Sequence, residues 1–197
     1  MQRILGMLMV LLLGWSLAQT DHAGHGSMAM RSMAELQKLQ GRNFDIAYMS
    51  MMIDHHKGAV EMAQAILKVS KDARIRKAAQ EIIAAQNKEI TQLTGWLRSW
   101  YGVAPSQRYM AMMRADMKPM MDTSLMGMMP GHGSSPDRAF LEGMIPHHQD
   151  AVDMSKLCLK LCLQKAARAE LKRFCQGVIA VQSREIEQYR QWLKSLP

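Results

Sequence analysis

The sequence predicts an all-α protein, a four-helix bundle built from two tandem αα-hairpin repeats. Helix-favouring Ala, Leu, Met, Gln, Lys and Glu are abundant, whereas Val, Ile, Thr, Phe and Tyr are sparse and aromatic residues make up 6% of the chain. The second half of the chain repeats the first, and each copy carries apolar residues at helical spacing. Two helical hairpins that each expose an apolar stripe are expected to pack against each other.

The N-terminus has the pattern of a cleavable signal peptide over residues 1–18. Arg3 provides a positive charge, residues 4–15 form an apolar run, and residues 16–18 (SLA) are a small-x-small cleavage site. A retained membrane anchor is the alternative, but the apolar run is shorter than the ~20 residues that a spanning helix needs. We therefore expect a periplasmic or secreted protein with no stable membrane insertion after cleavage.

The net charge of +8 does not by itself indicate a nucleic-acid partner. Most Lys and Arg residues are spread along the helical segments among acidic residues, and the sequence has no basic run with interleaved aromatic residues. We interpret the charge as a solvated surface and expect no nucleic-acid binding.

The internal repeat covers both helices of each predicted hairpin. Residues 43–62 (NFDIAYMSMMIDHHKGAVEM) match residues 135–154 (SPDRAFLEGMIPHHQDAVDM). Further along, residues 83–90 (IAAQNKEI) match residues 179–186 (IAVQSREI). The chain therefore contains the same helix–turn–helix unit twice.

This repeat divides the chain after the signal peptide into four parts. Residues 43–101 and 135–197 are the two hairpin repeats, in which Asn43 and Ser135 are the predicted N-caps. Residues 102–134 contain four of the 13 glycines and three of the six prolines and are predicted to be a Met-rich linker. The remaining part, residues 19–42, is an N-terminal segment with its own histidines and methionines: His22, His25, Met28, Met30 and Met33.

Histidine and methionine side chains share one face of the first helix in each copy. At 100° per residue the following residues point the same way: Asp45, Met52, His55, His56 and Met62 in the first copy, and Asp137, Met144, His147, His148 and Met154 in the second. Glu61 and Asp153 point roughly the opposite way, toward solvent.

The residue types on this face suit a soft metal ion. Neutral imidazole and thioether are uncharged donors, and thioether ligands select Cu(I) and its heavier relative Ag(I). Outside the cytosol clustered thiols oxidise to disulfides, so Met is the soft ligand that persists there. We predict Cu(I) first and Ag(I) second, with Cu(II) or Zn as alternatives at the histidine pairs.

Methionines at helical spacing are also common core residues, and Asp45 and Asp137 also suit a helix N-terminus. Two copies of Met-x2-His-His-x5-Met nevertheless favour metal binding, because packing has no need of adjacent histidines twice.

Two polar residues of the second helices are a further indication. Gln86 and Gln182 lie on apolar stripes, where a buried amide needs a partner such as a histidine across the hairpin. Glu89 and Glu185 flank the same stripes. Hydrogen bonding between helices without any metal explains these residues equally well.

The predicted linker contains a dense group of potential thioether ligands: Met110, Met112, Met113, Met117, Met120, Met121, Met126, Met128 and Met129, followed by His132. A Met-rich tract can also form a hydrophobic helix or groove. The Gly and Pro residues in this segment and its few other apolar residues favour flexible metal capture.

Of the three cysteines, Cys158 and Cys175 are expected at similar heights on facing helices of the second hairpin. A disulfide between them suits an oxidising compartment and leaves Cys162 free. A metal site made of all three is the weaker alternative, since the first copy has no cysteine.

Residues 140–154 (FLEGMIPHHQDAVDM) and 179–186 (IAVQSREI) resemble domain-of-unknown-function family 305. The resemblance extends over residues 43–100 and 135–196. It implies a duplicated, ferritin-like helical bundle and a secreted or periplasmic copper- or silver-binding protein, because the family includes CopM-type copper-resistance proteins. The first copy departs from the pattern with Asp54 in place of Pro and Lys57 in place of Gln, so we expect its affinity for metal to differ.

Other functions fit the sequence less well. A ferritin-like di-iron oxidoreductase needs Glu-x-x-His pairs, but the positions three before the histidines hold Met52, Ile53, Met144 and Ile145. A non-metal helical interaction module is the other alternative. We predict a metal-binding protein rather than an enzyme, acting in sequestration or in delivery to a copper-transfer partner protein.

Overall fold

The computed structural model describes residues 31–132, 135–164 and 168–196, with the side chains of 162–164 left out. These residues form six α-helices and no strand: α1 Arg31–Lys38, α2 Gly41–Val69, α3 Ala73–Tyr101, α4 Gln107–Gly127, α5 Pro136–Gln164 and α6 Ala169–Ser195. The predicted signal peptide lies outside the described residues, as do His22, His25, Met28 and Met30. The all-α prediction is confirmed.

Four long helices form two hairpins that pack against each other. Helix α2 packs on α3, α5 packs on α6, and α2 meets α5 at the centre. The apolar stripes of the second helices are buried against the first helix of each hairpin, and Ile75 and Leu97 of α3 and Leu171 of α6 are completely buried. Burial of these stripes is what holds the hairpins together.

The start of α2 differs from the prediction. Its N-cap is Gln40, and Asn43 lies within the first turn. Gly41 has a φ of 54°, a left-handed conformation that glycine adopts without strain. This conformation turns the chain between α1 and α2 and starts the helix before the predicted cap. In the second copy, α5 begins at Pro136, directly after Ser135 as predicted.

Residues 107–127 form a helix, so the prediction of a flexible Met-rich segment is wrong there. Met113, Met117 and Met121 recur every four residues along α4 and are buried against α2 and α5. They form an apolar stripe that is removed from solvent because α2 and α5 cover it. Pro119 is exposed inside α4, where packing offsets the hydrogen bond that proline removes.

Helix α4 approaches α5 very closely at Gly143. A Cβ atom there would lie 2.5 Å from Cβ of Ser124 and 2.9 Å from Cε of Met62. The Ser124 hydroxyl donates a 3.0 Å hydrogen bond to the carbonyl oxygen of Ala139. The absence of a side chain at position 143 thus lets α2, α4 and α5 meet at one point.

A disulfide joins Cys158 of α5 to Cys175 of α6, with their Cα atoms 6.7 Å apart, as predicted. It links the two helices of the second hairpin and fits an oxidising compartment. The side chain of Cys162 lies outside the described residues. None of the helices in the described part of the chain is long and apolar enough to span a membrane.

Candidate metal centre

The two copies meet at their histidines. His55 of α2 and His147 of α5 occupy equivalent positions in the repeat, and their ring centroids are 3.8 Å apart. We call these two residues the inner pair, and their sequence neighbours His56 and His148 the outer pair. All four side chains are completely buried. The structure therefore brings the histidines of the two predicted faces into one cluster.

The histidines of this cluster have an unusual hydrogen-bonding state. Neither ring nitrogen of any of the four makes a hydrogen bond with acceptable geometry, although all eight nitrogens are buried. A buried polar atom without a partner costs roughly 1–3 kcal/mol, so such atoms are rare unless a ligand or a function requires them. Free nitrogens in a buried site are the state in which imidazole can bind a metal ion.

Burial lowers the pKa of His55 and His147 well below 6.5, and the neighbouring histidines lower it further. Both side chains are therefore neutral near pH 7, which leaves one lone pair on each ring for coordination.

The lowered pKa values predict that the metal-free protein loses stability in acid. In the unfolded chain both histidines titrate near 6.5, so below this pH the unfolded state binds two protons that the folded state does not. The stabilisation is fully present above pH 6.5 and falls by up to about 2.7 kcal/mol per pH unit below it. Urea unfolding between pH 7.5 and 5 measures this slope. The H55Q/H147Q variant is the control and should show a shallower profile, whereas equal slopes would contradict the prediction.

The thioether of Met121, on α4, lies near the inner pair. A Cβ atom at Gly58 would lie 2.9 Å from Sδ of Met121 and 3.2 Å from Nε2 of His147. The sulfur and the nitrogen thus lie beside the same point on α2, in space that the glycine leaves free. The sequence prediction placed Met121 among nine linker methionines, and only its spacing from Met113 and Met117 could have singled it out.

The methionines predicted from the repeat are also in the core. The side chains of all four are completely buried: Met52, Met62, Met144 and Met154. Met52 and Met144 stand one helical turn before the inner pair, whereas Met62 and Met154 lie about 10 Å beyond it along their helices. The structure places Met62 against Gly143 of α5.

The two aspartates of the predicted face lie away from the histidines. Asp45 is ten residues before His55, about 15 Å along α2, and accepts a 2.5 Å hydrogen bond from the Tyr101 hydroxyl. Asp137 has the same separation from His147 in the first turn of α5. Asp137 thus lies at a helix N-terminus, as in the alternative interpretation, whereas Asp45 lies beyond the first turn of α2.

The remaining methionines of the Met-rich segment lie in different environments. Met128 is buried in the core together with Met113 and Met117. Met126 and Met129 are 53% and 58% exposed. Three further methionines are half-buried: Met110, Met112 and Met120. The histidine that follows the segment, His132, is exposed.

The outer pair faces the second helix of each hairpin. Nε2 of His56 lies 2.8 Å from a carboxylate oxygen of Glu89, and Nε2 of His148 lies 3.0 Å from one of Glu185. Neither contact has the geometry of a well-formed hydrogen bond. Gln86 and Gln182 are buried as predicted. Their side-chain oxygens, however, have no hydrogen-bond partner, and the expected bond to a histidine is not formed.

The fold and this cluster define a helical bundle of two homologous hairpins with buried histidines and methionines at their junction. The chain belongs to the family described as Domain of unknown function (DUF305), which matches residues 16–92 and 45–193. The family resemblance found in the sequence is thereby confirmed. No curated protein sequence matches the chain.

Solved structures of the family share this fold. A DUF305 fragment from Deinococcus radiodurans is 26% identical, with a TM-score of 0.66 over 77% of this chain and 96% of the fragment. CopM in an Ag-bound form is 28% identical, with a TM-score of 0.61 over 80% of this chain and 98% of CopM. CopM in the Cu(I)-bound form is 27% identical, with a TM-score of 0.59 over 77% and 96%.

Proposed function

We propose that this protein binds Cu(I), and also Ag(I), outside the cytosol and serves copper homeostasis and resistance by sequestration or chaperoning. The observation that carries the proposal is the inner pair, two buried, neutral imidazoles whose rings are in contact and make no hydrogen bonds, with the sulfur of Met121 near one of them. In this proposal the metal ion is cargo, and the protein performs no enzymatic step.

The ligand set supports a soft ion. Among the described residues, no three His, Cys, Asp or Glu side chains converge in a group that could hold a metal. A thioether is therefore the further ligand that we propose for an ion at the inner pair, and the geometry at Gly58 makes Met121 the candidate. Thioether coordination favours Cu(I) and Ag(I) over Zn, Mg or Ca.

The relatives support the same choice of metal. CopM has Cu(I)-bound, Cu(II)-bound and Ag-bound forms. Its silver-bound form covers most of this chain with the same fold. The metals that CopM binds are therefore the first to test here.

Export is part of the proposal. Three features fit an oxidising compartment outside the cytosol. They are the signal-peptide pattern of residues 1–18, the disulfide of the second hairpin, and the use of Met in place of Cys as the soft ligand. The periplasm and the extracellular medium both meet this condition.

We also propose that the end of α4 captures the ion first. Met126 and Met129 are the two most exposed methionines of the described residues, and His132 follows them at the surface. Met126 lies in the last turn of the helix that carries Met121, so an ion bound to it is about 8 Å along α4 from the buried site.

Competition for Cu(I) against a chromophoric chelator under anaerobic conditions tests the proposal. The wild-type protein should withdraw Cu(I) from the chelator, and the H55A/H56A/H147A/H148A variant should fail to do so, with circular dichroism reporting whether it is folded. Equal Cu(I) affinity in the two proteins would contradict the histidine site. No binding of Cu(I) or Ag(I) by the wild type would favour the non-metal interaction module instead.

Met121→Leu should weaken Cu(I) binding on the order of tenfold, because it removes the sulfur but keeps the side-chain volume. The same chelator competition measures the change. Met110→Leu is the matched control, since it makes the same substitution at a half-buried position of α4 about 16 Å along the helix from Met121. If both variants bind as the wild type does, Met121 is not a ligand.

A further inference from the structure

An ion at the inner pair has no negatively charged ligand. The ligands proposed for it are two imidazoles and a thioether, which are all uncharged, and both imidazoles are completely buried. A positive charge in a protein interior is unfavourable unless an opposite charge lies near it. Carboxylates close to the inner pair therefore affect how strongly it binds Cu(I) or Ag(I).

Two carboxylates contact the histidine cluster, one from each copy of the repeat. Glu89 of α3 and Glu185 of α6 lie 2.8 Å and 3.0 Å from the outer pair. The ring centroids of His55 and His56 are 6.2 Å apart, and the second copy repeats this spacing with 6.3 Å between its two rings. Each carboxylate thus lies about 10 Å or less from an inner ring, a distance at which a charge still changes ion binding.

These two carboxylates are not paired with basic side chains. In the parts of the chain that the structure describes, Glu89 and Glu185 form salt-bridge contacts with histidine and none with Lys or Arg. The buried carboxylate next to His55, that of Asp54, is instead paired with Arg114 at 3.1 Å. The arginine offsets the effect of Asp54 on a nearby ion, whereas no such group offsets the two glutamates.

We propose that Glu89 and Glu185 stabilise the positive charge of the ion at the inner pair without binding it, and thereby set the affinity of the site. This inference rests on the proposed function. One charge about 10 Å from a monovalent ion, at an effective dielectric constant of about 20, changes its affinity on the order of tenfold. Both glutamates are 29% exposed, so water weakens the effect of each, and the two together should provide about this factor.

The E89Q/E185Q variant tests the proposal, because it removes both charges and keeps the shape of the side chains. It should bind Cu(I) on the order of tenfold more weakly in the anaerobic chelator competition. Its melting temperature without metal should stay within about 2 °C of the wild type, because the two contacts lack good hydrogen-bond geometry. A loss of affinity without a loss of metal-free stability separates an effect on the ion from a structural role.

Two further variants serve as controls. E81Q/E170Q removes two charges from exposed positions of the same helices, about 12 Å along α3 and about 22 Å along α6 from the glutamates of the cluster, and should bind Cu(I) as the wild type does. E89D/E185D keeps the charges but shortens each side chain by one methylene, which breaks the contact with the outer pair. It should bind Cu(I) within about threefold of the wild type, because a charge effect changes little over that distance.

Unchanged Cu(I) affinity in E89Q/E185Q would overturn this inference and leave the proposed function intact. Equal losses in E89Q/E185Q and E89D/E185D would also overturn it, since contact with the outer pair would then matter rather than charge. A wild-type protein that binds neither Cu(I) nor Ag(I) would overturn the proposed function and this inference together. Circular dichroism verifies the fold, and if E89Q/E185Q is unfolded the single variants E89Q and E185Q give the same comparison with a smaller expected loss.

Discussion

The H55A/H147A variant should bind Cu(I) about 100-fold more weakly than the wild type, or worse. Loss of a group that only supports a metal ligand already costs 10–100-fold, so loss of both imidazole ligands should reach at least the upper end of that range. No other pair of unbonded imidazoles in the described residues is in ring contact across the two copies. Chelator competition under anaerobic conditions gives the ratio of dissociation constants.

The matched comparison is H56A/H148A, which removes the same number of imidazoles from the outer pair. This variant should keep Cu(I) affinity within about tenfold, because its histidines face Glu89 and Glu185 rather than the thioether of Met121. If the outer variant loses as much Cu(I) affinity as the inner one, the four histidines form a single site and the division into pairs is wrong.

Saturation with Ag(I) should raise the melting temperature by about 10 °C. A ligand at about a thousand times its dissociation constant stabilises the folded state by about 4 kcal/mol, and for a chain of this size each kcal/mol corresponds to about 2–4 °C. The physical reason is that the ion binds nitrogens that are buried without partners in the metal-free fold. Ag(I) is convenient because it does not change oxidation state under these conditions, and circular dichroism at rising temperature measures the shift.

The H55A/H147A variant serves as the control for this stabilisation and should melt at the same temperature with and without Ag(I). Removal of silver from the wild type with a thiol chelator should restore the melting temperature of the metal-free protein. A shift of equal size in the wild type and the variant would place the silver elsewhere, for example on Met126 and Met129 at the surface.

The repeat and the helical period made most of the fold predictable. The α2 face with Met52, His55, His56 and Met62 is buried, and Glu61 is exposed, because both properties follow from local helix geometry. The pairing of Cys158 with Cys175 followed from the same geometry, applied to two helices joined by a short turn.

The Met-rich segment shows where local patterns are insufficient. Gly, Pro and many methionines typically indicate a flexible chain, yet Met113, Met117 and Met121 form one buried stripe of α4. An apolar stripe becomes stabilising only when other helices cover it, and here those helices are α2 and α5, which come from different copies of the repeat. The wrong N-cap has a similar origin, since the turn at Gly41 joins α2 to a preceding helix that the repeat does not contain.

The sequence by itself determined that the protein is made of two helical hairpins and which side of each first helix carries histidine and methionine. These properties depend on residues within a few helical turns of one another. Only the tertiary structure decided that His55 meets His147, that the outer pair faces glutamates instead, and that Met121 supplies the nearby sulfur. These contacts depend on how α2, α4 and α5 pack. Gly58 and Gly143 have no side chain, which lets the three helices approach closely enough.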